Sequence, residues 1–134
     1  MIIRLIRRVY GIIPAWLPGT LVVAAILYLT LAPRPLGDDT PELFEGADKV
    51  VHAIMFGAMS FTLALDRLMG RGAISHMALA VIAAVTVVTG LGIELLQGVM
   101  ECGRSGDMAD GVADIAGALA GIWIFIRVKR IIDQ

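Results

Sequence analysis

The sequence predicts an all-α, polytopic membrane protein in which four transmembrane helices form a compact antiparallel bundle. Of its 134 residues, 58% are hydrophobic and 17% are charged, whereas soluble domains carry about a quarter charged residues. Apolar segments of about 20 residues, the length that crosses a bilayer, alternate with short polar connections. This length leaves no room for a separate soluble domain, so residues 1–134 are treated as a single membrane domain.

The first span is predicted at about residues 12–32. It follows a basic segment, Met1–Val9, which is interpreted as a positive flank that fixes topology rather than as a helix lying on the lipid surface. Pro14 and Pro18 predict that the regular helix begins near Leu17. Three more apolar segments follow and no clear small-residue cleavage site is present, so a retained anchor is favoured over a signal peptide.

The remaining spans are predicted at about residues 50–69, 74–100 and 108–128. The third span is long enough to tilt. Asp66 and Arg67, near the end of the second span, are interpreted as a solvated pair at the membrane interface.

Positive charges separate between the two ends of these spans. Of the 11 lysines and arginines, eight lie at the termini or between the second and third spans, and three lie on the other side. Positive charge favours the cytoplasm, so both termini are predicted to be cytoplasmic. The connections at 33–49 and 101–107 would then face outward.

Strongly polar residues lie near the outward ends of the second, third and fourth spans. They are Lys49, His52, Glu94, Gln97, Arg104, Asp107, Asp110 and Asp114. Residues three or four apart share a helix face, so each span presents these residues as a stripe. Glu94 and Asp114 each lie about 9 Å from the predicted helix end at 1.5 Å per residue, so their depths match. We expect these side chains to meet in one outward-facing pocket.

Small residues support a pairing of the third and fourth spans. The stripes are Thr86, Gly90 and Glu94 on the third span and Ala113, Gly117 and Gly121 on the fourth. Stripes of small residues let membrane helices approach closely. The short turn between these spans makes them antiparallel neighbours.

The charges of this polar set do not balance. Each unpaired ionisable group at such depth costs about 2.5–3.5 kcal/mol. With His52 neutral, Lys49, Arg104 and the four acids leave a net charge of −2. This negative charge would be reduced by protonation of carboxyl groups, by a charged His52 or by a divalent cation. Asp110 and Asp114 are one helical turn apart, a spacing that suits magnesium or calcium. Alternatively, the basic side chains of Lys49, His52 and Arg104 only hold the helix ends together by pairing with carboxylates.

Several functional classes find no support in the sequence. Its one cysteine, Cys102, excludes an internal disulfide and a cysteine-based zinc site. It contains no glycine-rich phosphate loop, HExxH motif or nucleophile elbow, and no nucleic-acid partner is predicted. Four spans are few for a transporter with alternating access.

Three blocks, within about residues 48–125, resemble the VanZ-like family of small bacterial membrane proteins. They are Asp48-Lys49-x-x-His52, Ile93-Glu94-Leu95-Leu96-Gln97 and Gly103-Arg104-Ser105-x-Asp107-x-x-Asp110-x-x-x-Asp114-x-x-Gly117. The resemblance implies a role in the bacterial cell envelope, a link to low-level teicoplanin resistance and a connection with lipid-linked wall precursors. It supplies no catalytic residue. The family usually has asparagine at the position of Asp114 and an aromatic residue at that of Ala53, and the first departure strengthens the case for a proton or cation.

Three functions remain open. The preferred one is a binding module whose pocket holds the head group of a lipid-linked wall precursor or phospholipid, with Lys49, Arg104 and His52 on the phosphate. The second is an enzyme acting on such a lipid, with a metal held by Asp110, Asp114 or Glu94 and with His52 as acid or base. The third is a structural or partner-binding membrane subunit.

Overall fold

The computed structural model describes residues 2–33, 37, 44–100 and 107–133, apart from the side chains of residues 2, 3 and 132. Throughout these ranges the regular structure is α-helical, which confirms the predicted all-α class. The helices are α1 (Ile2–Tyr10), α2 (Leu17–Leu31), α3 (Ala47–Arg71), α4 (His76–Met100) and α5 (Met108–Ile132). Arg104 and Cys102 lie outside the described residues.

Three of the described helices, α3, α4 and α5, are long and apolar enough to cross a membrane. Each has 25 residues, or about 37 Å against a hydrocarbon core of about 30 Å. The fourth apolar helix, α2, has 15 residues, about 22 Å, so it is shorter than the span predicted at 12–32. It begins at Leu17 with a proline in its first turn, as Pro14 and Pro18 indicated.

Several of the predicted polar residues lie at helix ends. Asp107 is the N-cap of α5, where its side chain accepts a hydrogen bond from the Ala109 backbone N–H. Gly46, in the left-handed region with φ of 80°, precedes α3 and lets the chain turn into it, so Lys49 lies in the first turn of the helix rather than before it. Helix α4 ends at Met100 and α5 begins at Met108, so a short connection separates them.

Helix α3 packs against α2, α4 and α5, and its interface with α5 is the most extensive. Glycines permit this close approach, because a Cβ at Gly117 would lie 2.2 Å from the Ala53 carbonyl oxygen and one at Gly121 would lie 2.2 Å from that of Gly57. Helices α4 and α5 are neighbours, as predicted. However, the glycine stripe of α5 faces α3, so its predicted pairing with α4 is wrong. The stripe indicates a close neighbour, but adjacency along the chain does not identify that neighbour.

Asp66 is a structural residue and not a solvated partner of Arg67. It is 9% exposed, and its carboxylate accepts hydrogen bonds from the Tyr10 hydroxyl at 2.5 Å and from the Gly19 backbone N–H at 2.7 Å. It therefore fastens α1 and the first turn of α2 to the end of α3. The interfacial-pair interpretation is wrong because the residues that cover Asp66 come from distant parts of the chain.

Apolar side chains occupy both the interior and the outer surface. Ile26, Phe56, Met59 and Ile93 form one buried cluster, and a second one surrounds Phe125 near the opposite end. Large apolar residues stay exposed on the outward faces, including Ile54, Val88, Leu95 and Trp123. A surface of this kind matches lipid as the surrounding solvent.

Candidate polar site

Six of the predicted site residues come together where α3 begins, α4 ends and α5 begins. These residues, called the polar cluster below, are Lys49, His52, Glu94, Asp107, Asp110 and Asp114. The structure places these six side chains, which come from three helices or their ends, close to one another, and their role as a binding site remains a prediction.

His52 and Asp114 form the floor of the cluster. The Nδ1 atom of His52 lies 2.9 Å from Oδ1 of Asp114, and the two residues are 8% and 0% exposed. Phe56, one turn beyond His52, stacks on its imidazole with the ring centroids 6.4 Å apart. Gly90 provides the space for Asp114, since a Cβ at that position would lie 2.8 Å from Oδ2.

Two further acids approach the same imidazole. Glu94 Oε1 lies 3.8 Å from Nδ1 of His52, and Asp110 Oδ2 lies 4.0 Å from its Nε2. The side chains of Glu94 and Asp110 are only 10% and 13% exposed. Three carboxylates around one imidazole leave excess negative charge in a medium of low dielectric constant, which is costly unless protons or a cation neutralise it.

One buried oxygen of each of these acids lacks a hydrogen-bond partner within the described part of the chain. The atoms are Glu94 Oε1, Asp110 Oδ1 and Asp114 Oδ2. Lys49 Nζ approaches Asp110 Oδ1 to 3.5 Å, an ion pair without hydrogen-bond geometry. An unsatisfied buried polar atom costs about 1–3 kcal/mol, and more when it is charged, so three together indicate a missing donor or cation.

Lys49 and Asp107 form the exposed rim. Lys49 Nζ lies 3.1 Å from Asp48 and 3.3 Å from Asp107. The Asp107 backbone N–H donates to Glu94 Oε2 at 2.9 Å, which ties the start of α5 to α4. The Ala109 backbone N–H and then the Lys49 ammonium hold the pKa of Asp107 below its usual range. Side-chain exposure thus decreases from Lys49 and Asp107 at the rim to His52 and Asp114 at the floor of the cluster.

The donor geometry can accommodate a metal ion. Among the described residues, His52, Glu94 and Asp114 offer one ligand atom each, all within 4.8 Å of one another. The sequence predicts Asp110 and Asp114 as ligands, and that pair remains a prediction. An imidazole with two carboxylates admits divalent transition metals such as zinc or manganese besides magnesium.

Gln97 has a different role from the acids. Its side-chain amide donates to the Thr30 backbone carbonyl at 2.7 Å, in the interior. That carbonyl belongs to the last turn of α2, where helix carbonyls lack partners within the helix. Gln97 therefore caps α2 and joins it to α4.

Three contributors were not predicted. Asp48 holds Lys49 at the rim, Phe56 stacks on His52, and the Thr30 carbonyl receives Gln97. Phe56 was detectable, because it lies four residues after His52 and shares its helix face. The Thr30 contact was not, since a backbone carbonyl leaves no signal in a sequence.

Comparison with protein-family models identifies a related family. A family model described as VanZ/LLP1 matches residues 8–130, a range that contains the whole polar cluster. No curated protein and no solved structure matches the chain.

Proposed function

The chain belongs to the VanZ/LLP1 family, and from this premise we propose that its polar cluster binds the head group of a lipid-linked cell-wall precursor or phospholipid through a divalent cation. The observation that carries the proposal is the set of buried carboxylate oxygens around His52 that have no hydrogen-bond partner among the described residues. A cation held by His52, Glu94 and Asp114 would satisfy the oxygens of Glu94 and Asp114 and would offset much of the acidic charge.

The cation also explains how an acidic cluster can bind an anionic ligand. Carboxylates alone would repel a phosphate or diphosphate group. A divalent ion held by His52, Glu94 and Asp114 would keep coordination positions free for phosphate oxygens, because three protein ligands do not fill its shell. Lys49, 39% exposed at the rim, would add a charge-assisted hydrogen bond, and Arg104 is the proposed second phosphate contact.

The location of the ligand follows from the distribution of positive charge. Both termini are proposed to lie in the cytoplasm of a bacterium, with the polar cluster toward the extracytoplasmic side, where lipid-linked wall precursors are used. A protein that holds such a precursor would compete with a glycopeptide for it. We therefore propose a contribution to teicoplanin resistance as the cellular consequence.

The experiment combines lipid and metal analysis of the full-length protein. Protein purified from bacterial membranes in mild detergent is analysed by mass spectrometry for retained lipid and by elemental analysis for metal, before and after treatment with a chelator. We expect phosphate-bearing lipid and about one divalent ion per chain, and loss of both on chelation. Glu94→Gln should lose both, whereas Asp133→Asn, an exposed residue near the opposite end of α5, should lose neither.

Protein that retains no more lipid than the Glu94→Gln variant would refute the binding proposal. In that case the cluster would serve assembly alone.

A second candidate function is metal-assisted hydrolysis of the lipid-linked phosphate. It is favoured by the position of Nε2 of His52, which is turned away from Asp114 and lies 4.0 Å from Asp110, so that it can accept or deliver a proton. Release of inorganic phosphate from a polyprenyl diphosphate by the purified protein, abolished in His52→Gln, would support this function. Intact substrate that stays bound would favour the binding module.

A further inference from the structure

A cavity lies at the opposite end of α3 from the polar cluster. Its volume is about 700 Å³, and it opens between the start of α2 and the end of α3. Its walls include Trp16, Val23, Leu63, Asp66, Arg67 and Arg71. His52 and Arg67 are 15 positions apart, about 22 Å along the helix, so the cavity is separate from the polar cluster.

Arg67 brings a positive charge to this cavity. Its Nη1 atom is buried, yet it has no hydrogen-bond partner anywhere in the described part of the chain. The adjacent carboxylate of Asp66 does not serve, because it accepts from the Tyr10 hydroxyl and the Gly19 N–H. A buried guanidinium nitrogen without an acceptor is costly, so an anion from outside the chain would be its natural partner.

The other walls specify what kind of anion fits. Arg71 lies one turn beyond Arg67 on the same face and is exposed, so the two arginines outweigh the single carboxylate of Asp66. Trp16 is 64% exposed at the mouth, a position typical of tryptophan at the level of lipid head groups. Val23 and Leu63 supply an apolar wall below it.

We propose that this cavity binds an anionic glycerophospholipid, with its phosphate on Arg67 and Arg71 and one acyl chain against the apolar wall. A planar guanidinium matches phosphate oxygens in a bidentate geometry. A phosphate would supply the acceptor that Arg67 Nη1 lacks. This site does not depend on the proposed function of the polar cluster.

Quenching of Trp16 fluorescence by brominated lipid tests the proposal. The chain contains two tryptophans, so a full-length Trp123→Phe background leaves Trp16 as the reporter. This protein is reconstituted into phosphatidylcholine vesicles containing a minority of brominated phosphatidylglycerol or, at the same mole fraction, brominated phosphatidylethanolamine. We expect phosphatidylglycerol to associate with the cavity about five- to 25-fold more strongly, the effect of one to two basic residues on an anionic lipid.

Matched variants assign the preference to the cavity. Arg67→Gln should abolish the preference for phosphatidylglycerol. Arg71→Gln should halve the logarithm of the preference if the two arginines share the phosphate equally. Arg130→Gln, which removes a positive charge from the C-terminal part of α5, should preserve it. Circular dichroism in the same vesicles verifies folding, and Arg71→Gln provides the test if Arg67→Gln does not fold.

Equal quenching by the two lipids would overturn the proposal, as would equal losses in Arg67→Gln and Arg130→Gln. Loss of the preference on adding millimolar inorganic phosphate, at constant ionic strength, would show that the site takes free anions and would also overturn the lipid assignment. Glu94→Gln should leave the preference unchanged. Failure of this proposal is therefore distinguishable from failure of the polar-cluster proposal.

Discussion

His52 on α3 and Asp114 on α5 are 62 positions apart in the sequence, yet Nδ1 of one lies 2.9 Å from Oδ1 of the other in the interior of the bundle. The contact depends on glycines. Gly117 brings α5 against the backbone of α3, and Gly90 leaves the space that Asp114 fills. The close packing of the helices thus positions the polar site. A change in the site should alter metal affinity, whereas a change in the packing should alter the free energy of unfolding.

Asp114→Asn tests the need for charge at the floor of the cluster. Asparagine retains the size of the side chain and can hydrogen-bond to His52, so we expect the fold to survive. We expect the affinity for a divalent cation to fall at least tenfold, because a carboxylate ligand is replaced by a neutral amide.

Thermal unfolding in detergent with zinc, manganese, magnesium or calcium measures this effect. A metal at 100 times its Kd stabilises the native state by about 2.7 kcal/mol, and a tenfold loss of affinity in Asp114→Asn should reduce this increment to about 1.4 kcal/mol or less. Asp133→Asn should retain it. An unchanged increment in Asp114→Asn would exclude Asp114 as a ligand.

Gly121→Ala tests the contact between α3 and α5. The added Cβ would lie 2.2 Å from the Gly57 carbonyl oxygen and 2.2 Å from Ser60 Oγ, so the helices must separate. We expect a loss of about 3 kcal/mol in the free energy of unfolding. Gly92→Ala is the control, because a Cβ there meets nothing within 4 Å. Equal stability of the two variants, measured by denaturant titration, would contradict the described packing.

The polar cluster was predictable because it depends on short-range periodicity. Residues three or four apart share a face, and the ends of α4 and α5 could be located well enough to match the depths of Glu94 and Asp114. Spans and caps follow equally local rules, which is why Leu17 and Met108 were identified as helix starts.

Contacts between distant segments were not predictable in the same way. A stripe of small residues at Gly117 and Gly121 has the same appearance whether it packs on α3 or on α4. Asp66 resembled an interfacial residue because Tyr10, which binds it, lies 56 positions away. In both cases the partner is chosen by the packing of the whole bundle rather than by local sequence.

Asp107 provides a pH-dependent test at the rim. Its pKa is held below the ordinary value of 3.8 by the Ala109 N–H and the Lys49 ammonium. Its contribution to stability is therefore present above pH 3.8 and is lost as the pH falls through the lower folded value. We expect wild-type stability to decrease more steeply with acid than that of Asp107→Asn, whose amide can still cap α5 but does not titrate. Parallel acid profiles, followed by thermal unfolding, would contradict this assignment.

Tyr10 tests the attachment of α1. Burial, followed by the hydrogen bond to Asp66 and the charge of that residue, raises the pKa of the Tyr10 hydroxyl well above its ordinary value of 10. The folded state thus binds this proton more tightly than the unfolded state. The resulting stabilisation is complete below pH 10 and is lost as the pH rises through the folded value.

Two measurements separate this contact from general burial. Absorbance at alkaline pH should show tyrosinate forming at Tyr10 later than in a free tyrosine, with Tyr10→Phe identifying the signal of the second tyrosine, Tyr28. Tyr10→Phe should also cost about 1–3 kcal/mol of unfolding free energy, since it removes a donor from the largely buried Asp66 carboxylate. Asp66→Asn should move the tyrosinate transition toward pH 10, because the neutral amide no longer opposes the phenolate. A transition that stays in place would show that burial alone shifts the pKa, and that Asp66 does not hold α1 through its charge.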